Sequence, residues 1–229
     1  MAYYTDPSVV AGFSTTGDPF IDSLFDADPS YRFAWSTTVG GVTQISYSFP
    51  WLNGVGSKFI SGYGSGENLR VNSPSSVTAS DVTYIGQAFQ AWAAVANVNF
   101  TQVTETNAGQ VGDIRIAFTG VIPSQYWGYT IVTSDGADNS NGDIWISNSV
   151  RSESFAPYTY NYNAILHEIG HALGLKHPFE APTIPSGYDN RRFTIMSYTD
   201  PQNAYWYDKS TGTYKYLIMT PMVYDIAAV

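Results

Sequence analysis

The chain has three histidines in 229 residues, and all three lie in one eleven-residue window, His167-Glu168-Ile169-Gly170-His171-Ala172-Leu173-Gly174-Leu175-Lys176-His177. No other stretch constrains the local fold as tightly. His167 and His171 are four residues apart, so a helix places them on one face, one turn above each other. Glu168 points about 100° round that helix from His167, beside whatever the two imidazoles face. His177 comes six residues after His171, and a straight helix would carry it away from them. Gly174 resolves this: glycine tolerates a positive φ, ends the helix in a left-handed turn and lets the chain bend back with His177. Pro178 then opposes further helix. Three converging imidazoles suit zinc. H-E-x-x-H on a helix is the pattern in which the glutamate acts as general base beside the metal. The helix is expected from about Asn163 to Leu173, capped by Asn161 or Asn163.

The composition removes several other chemistries. There is no cysteine, so neither a disulfide scaffold nor a thiol nucleophile is available. The net charge is −9 with only ten Lys and Arg, which leaves no basic footprint for nucleic acid. No apolar run is long enough to span a bilayer. Met1-Ala2-Tyr3-Tyr4-Thr5-Asp6 shows neither a basic nor an apolar leader region, so no N-terminal signal peptide is visible. Charged residues make up 13 % of the chain, and its loops rely on Ser, Thr, Asn and Gly instead.

Along the chain, residues 1–40 are turn-rich, with Phe20, Ile21, Leu24 and Phe25 spaced for one or two helical turns. Alternation predicts strands at Val42–Phe49, Val98–Val103, Asp113–Phe118, Tyr126–Val132 and Asp143–Ser147. Residues 53–76 are loop-like. Ser80 to Ala96 is a long helix with Val82, Ile85, Phe89, Trp92 and Ala96 in one stripe and Ser80 as N-cap. Residues 178–193 are irregular, and Pro221 to Val229 has helix character. The expectation is an α+β domain: a twisted mixed sheet, two long helices above a cleft floored by the histidine helix, and an irregular lower part. One domain spanning 1–229 is expected, with an upper lobe of about 1–174 and a lower lobe of about 175–229.

The histidine window resembles the long zinc motif of the metzincins, H-E-x-x-H-x-x-G-x-x-H. Met196, in Ile195-Met196-Ser197-Tyr198, falls nineteen residues after His177, where that clan has a methionine turn. Pro178 after the third histidine and Tyr198 two residues after the methionine resemble serralysins in particular. Further serralysin-like stretches are Ile45-Ser46-Tyr47-Ser48-Phe49-Pro50, Gly112-Asp113-Ile114-Arg115-Ile116, Gly142-Asp143-Ile144-Trp145-Ile146 and Pro221-Met222-Val223-Tyr224-Asp225-Ile226-Ala227-Ala228. The resemblance implies a zinc-dependent endopeptidase. His167, His171 and His177 would be the zinc ligands, Glu168 the general base, and Tyr198 a displaceable further ligand that stabilises the oxyanion. Met196 would be the apolar base under the metal. It also implies an edge strand that binds substrate, best placed at Tyr126-Trp127-Gly128-Tyr129.

By the same resemblance the protein would be a secreted, extracellular bacterial monomer acting on proteins or peptides, with a proteinaceous inhibitor as a further partner and no membrane partner. Serralysins usually continue into a calcium-binding roll of G-G-x-G-x-D-x-U-x repeats, and this chain has none. The loop Asp135–Asp143 has enough oxygen ligands for calcium but does not match an EF-hand; turn chemistry accounts for its Asp, Asn and Gly equally well. A zinc-binding pseudoenzyme and a zinc hydrolase of non-peptide bonds are the alternatives.

Overall fold

Strand β4 (Val42–Ser48) is an interior strand of the sheet, and its second half, residues 45–48, is buried on both faces. Ile45 and Tyr47 enter the apolar core, as the alternation predicts. The intervening Ser46 and Ser48 are buried too, and both find carboxylates. Ser46 Oγ donates to Asp113 at 2.6 Å, and Ser48 Oγ donates to Glu105 at 2.8 Å. Glu105 also holds Arg115 in a buried ion pair at 2.8 Å. Fully satisfied polar networks of this kind tolerate burial.

The computed structural model describes residues 7–9, 14–29, 32–52, 74–106, 110–132, 140–202, 206–208, 213–215 and 217–229. Strand β4 pairs antiparallel with β3 (Thr38–Val39) and parallel with both β5 (Val98–Gln102) and β6 (Ile114–Thr119). Beyond β6 lies β8 (Ile144–Ser147), again parallel, and then β7 (Gly128–Thr130), antiparallel to β8. Strand β7 is therefore an edge, paired with no strand but β8 among the described residues. Gly128 sits opposite Ile146 there, and a Cβ on it would come within 2.5 Å of the Trp145 carbonyl oxygen. Only glycine allows this close approach.

Two helices pack on the sheet. Helix α2 (Ala79–Ala93) buries Ile85, Ala88, Phe89 and Trp92. Helix α3 (Tyr160–Ala172) is buried nearly all round. Trp92 Nε1 donates to Leu166 O at 3.0 Å and joins the helices, while Trp35 Nε1 donates to Ala172 O at 2.8 Å and satisfies an end carbonyl of α3. The fold is thus α+β with a mixed open sheet, as expected. Between α3 and α4 (Val223–Ala228) the described residues form no further α-helix. No helix among the described residues is long and apolar enough to cross a membrane.

Several boundaries differ from the sequence reading. Thr78, not Ser80, caps α2, in a reciprocal box with Asp81. Thr159, not Asn161 or Asn163, caps α3. Both caps have extended backbone, with ψ near 160°, which only the residue just outside the helix can adopt. Strand β7 covers only part of Tyr126–Val132, and Tyr126 and Trp127 precede it. Helix α4 starts at Val223 rather than Pro221. Short α1 (Pro19–Asp22) matches the expected helical turn. Two small antiparallel pairs were not expected: β1 (Pro7–Val9) with β2 (Phe33–Trp35), and β9 (Trp206–Asp208) with β10 (Thr213–Lys215). Most of the candidate calcium loop, residues 135–139, lies outside the described residues, as does most of 53–76.

Candidate metal centre

Helix α3 delivers His167, Glu168 and His171, and its ending delivers His177. Gly174 has φ +99°. Leu175 N donates to Gly170 O at 3.0 Å and Gly174 N to His171 O at 2.9 Å, the bond pair of a Schellman ending. The returning segment is then tethered by Lys176. Its backbone N donates to Leu24 O at 2.9 Å. Its Nζ lies 2.6 Å from Ser23 O, 2.8 Å from Glu180 O, 3.1 Å from His177 O and 3.2 Å from Pro182 O.

The three Nε2 atoms converge: His167 to His171 is 3.1 Å, His171 to His177 is 3.1 Å, and His167 to His177 is 3.2 Å. Each Nδ1 faces an acceptor, respectively Ile195 O at 2.9 Å, Leu175 O at 2.7 Å and Glu180 Oε1 at 2.9 Å. A carbonyl or carboxylate oxygen can only accept, so each Nδ1 carries the hydrogen and each Nε2 turns its lone pair inward. Zinc at about 2.0–2.1 Å from each nitrogen in tetrahedral geometry would space them about 3.3 Å apart. The observed triangle fits that ion. Burial holds His167 down to about 3 and His171 well below the usual imidazole value, with neighbouring histidines adding to the effect. Neutral imidazole is the ligating form. Among the described residues this is the one cluster of His, Cys, Asp or Glu that could hold a metal ion.

Glu168 is buried, and burial pushes its carboxyl up to about 7, with Thr130 pulling it back. Thr130 Oγ1 lies 2.7 Å from Glu168 Oε2 and 2.9 Å from Glu168 O. Thr130 belongs to edge strand β7, so the sheet edge and the glutamate share one wall of the cleft. Tyr198 brings its Oη to 2.7 Å from His177 Nε2, while its ring lies against His167 and Phe179. Desolvation of that hydroxyl, then the charges of Glu168 and Glu180, push it up to about 12, so it remains a donor.

Met196 is fully buried and touches none of the imidazole nitrogens by hydrogen bond; its sulfur lies under Gly170 of α3. The turn that carries it is held from below by Asp225 of α4. That carboxylate accepts from Thr194 Oγ1 at 2.6 Å, Ile195 N at 2.8 Å and Met222 N at 2.7 Å. Ile195 O in turn accepts from His167 Nδ1, so α4 reaches the triad through two hydrogen bonds.

Two cavities flank the Glu168–Tyr198 pair. One, of about 310 Å³, includes Thr130, His171, His177 and Glu180 in its wall. The other, of about 390 Å³, includes Tyr126, Tyr160, Ala164, His167 and Arg191. Residues 125–128 line the second and 128–130 the first, so the chain at β7 runs past both.

The structure gathers His167, Glu168, His171, His177, Met196 and Tyr198 in one place. Gly128 and Tyr129 lie in the edge strand. Tyr126 is exposed beside it, and Trp127 points its Nε1 at Asn161 Oδ1, 2.8 Å away. Sequence reasoning did not find Thr130, Gly170, Lys176, Glu180, Arg191 or Asp225. Glu180, three residues after His177, carried a usable local signal, as did Gly170 and Lys176, which lie inside the histidine window; Thr130, Arg191 and Asp225 meet the site only through tertiary contacts.

Comparison with known proteins agrees with this geometry. The peptidase family described as matrixin matches residues 69–185, just over half of the chain. Serralysin C of Dickeya chrysanthemi is 33 % identical over 163 residues, covering 66 % of this chain and 33 % of that protein. Serralysin A of the same organism is 32 % identical over 160 residues, covering 66 % and 32 %. Serralysin of Proteus mirabilis is 26 % identical over 211 residues, covering 83 % and 40 %. The chain thus spans about a third to two fifths of the length of these relatives. Zinc is the metal of this family, and the histidine triad could bind it. A zinc-fitting triad on a glycine-ended helix, the matrixin match and the serralysin relatives agree, and the chain belongs to the matrixin peptidase family as a serralysin-type metzincin.

Proposed function

We propose that this chain is the catalytic part of a secreted zinc-dependent endopeptidase that cleaves proteins or peptides. The observation that carries the reading is the inward-facing Nε2 triangle, every Nδ1 already held by an acceptor, beside a buried carboxylate in an open cleft. Zinc, when bound, supplies Lewis acidity, polarising a carbonyl and lowering the pKa of water to about 7.

The side chains then have separable tasks. Glu168 accepts the proton of the attacking water and returns it to the leaving amine. Its raised carboxyl pKa suits both directions of transfer near neutral pH. Thr130 orients Glu168 with its hydroxyl. Tyr198 donates its hydroxyl to the oxyanion as charge develops, and its Oη, 2.7 Å from His177 Nε2, would let it hold zinc together with the three histidines. Met196 supports the triad without ligating. The edge of β7 can bind an extended peptide by strand addition, and this favours a peptide over a small non-peptide substrate.

The test is direct. Purified chain should bind one zinc, cut casein, lose activity to a chelator and regain it with zinc. Zinc binding without cleavage of any protein or peptide would leave the pseudoenzyme or non-peptide hydrolase reading instead.

A further inference from the structure

The two cavities beside the catalytic pair differ in charge. The one reached from His171 and His177 has Asp26 and Glu180 in its wall, and its lysine, Lys176, is occupied by backbone carbonyls. The other has Arg191 as its cation, among Gln125, Tyr126, Tyr160 and Asn163. Arg191 is held in place at three points. Its backbone N donates to Thr199 O at 2.9 Å, its Nε to Ser197 O at 3.2 Å, and its Nη1 to Asp200 Oδ1 at 2.6 Å. A guanidinium has five N–H groups, so three remain without an acceptor among the described residues, both of Nη2 included. The side chain is 14 % exposed: fixed, mostly desolvated, and open to the cavity. A planar fork of this kind is suited to a carboxylate.

We propose that Arg191 makes the cleft select an acidic side chain, Asp or Glu, at the substrate residue that enters the Arg191 cavity next to the scissile bond. This rests on the endopeptidase reading above. An acidic side chain placed in the opposite cavity would meet Asp26 and Glu180 and be disfavoured. The two cavities therefore set the direction in which an asymmetric acidic peptide is cut. Asp200 shares the guanidinium and limits the effect, so discrimination of about tenfold is expected, at the low end for a charge-assisted hydrogen bond.

The experiment uses the zinc-loaded chain and peptides that differ only at the two positions flanking the bond, with Glu, Gln, Leu or Lys at each, and mass spectrometry to locate the cut. At one position Glu should exceed Gln and Lys in kcat/KM by about tenfold, and at the other it should not. Arg191→Gln should bring the Glu:Gln ratio close to one, read within the same variant so that any general loss of activity cancels. Asp200→Asn, which removes the competing carboxylate, should raise that ratio and tests the proposal even if Arg191→Gln folds poorly. Efficient cleavage with no acidic preference at either position, or a ratio untouched by both substitutions, overturns the proposal alone. Failure to cut any peptide overturns the endopeptidase reading along with it.

Discussion

Met196 and Gly170 are in such close contact that a Cβ built on Gly170 would lie 2.5 Å from the Met196 sulfur. The methionine turn and the histidine helix therefore meet at the one residue between His167 and His171 that has no side chain. The same Cβ would lie 3.2 Å from the Trp92 ring, and both neighbours are fully buried.

Gly170→Ala follows from that contact. In an exposed helix the change would add up to about 1 kcal/mol of stability. Here overpacking of about 1–3 kcal/mol should outweigh it. Chemical denaturation should show a net loss, and zinc retention should weaken because His167 and His171 flank the displaced turn. A variant as stable as wild type would mean that the sulfur can move aside freely.

Glu168 and Tyr198 separate metal binding from turnover. Glu168→Gln keeps the helix and the triad, so one zinc per chain should remain while kcat/KM falls by about 10²–10⁴. Tyr198→Phe removes one donor to the oxyanion and should lower kcat by about 10², again with zinc retained. Metal analysis alongside steady-state kinetics reads both, and full activity in Glu168→Gln would sink the assignment of the base.

Glu180 is the carboxylate behind His177. Losing such a partner costs about 10–100-fold in metal affinity. Its side chain is half exposed, so Glu180→Gln should fall near tenfold. Competition with a zinc chelator measures this without any substrate, and unchanged affinity would show that the hydrogen bond to Nδ1 does not support the ligand.

Asp225 gives a pH dependence. Burial raises its carboxyl to about 6, against hydrogen bonds from Ile195, Thr194 and Met222. A carboxyl raised by folding contributes its stability in full below the unfolded value of 3.8 and loses it as pH rises through about 6. The full swing is about 3 kcal/mol. The stability advantage of wild type over Asp225→Asn should therefore be larger at pH 4 than at pH 7. An advantage that is flat or grows with pH would contradict the assignment.

Some of this was legible locally. The spacing of His167 and His171, the glycine that ends their helix and the apolar stripe of α2 follow from helix period and backbone sterics; the structure has them where expected, except that α2 ends at Ala93 and leaves Ala96 beyond it. The caps were displaced by two to four residues, because Thr78 and Ser80, or Thr159, Asn161 and Asn163, are chemically similar candidates. The competition is settled by which one lies just outside the first turn. The short pairs β1–β2 and β9–β10 lack enough alternation to stand out from loop.

The sequence by itself determined the donor set and its local arrangement, since three histidines and a glutamate within eleven residues need only a helix and one left-handed turn to converge. Tertiary structure alone decided what surrounds them. Thr130 reaches Glu168 because β7 is the sheet edge beside α3. Met196 reaches Gly170, and Asp225 reaches Ile195, because the irregular chain folds back under the helix. Arg191 faces one cavity while Asp26 and Glu180 face the other. These contacts join residues far apart in the chain through sheet order and packing, for which periodicity carries no signal.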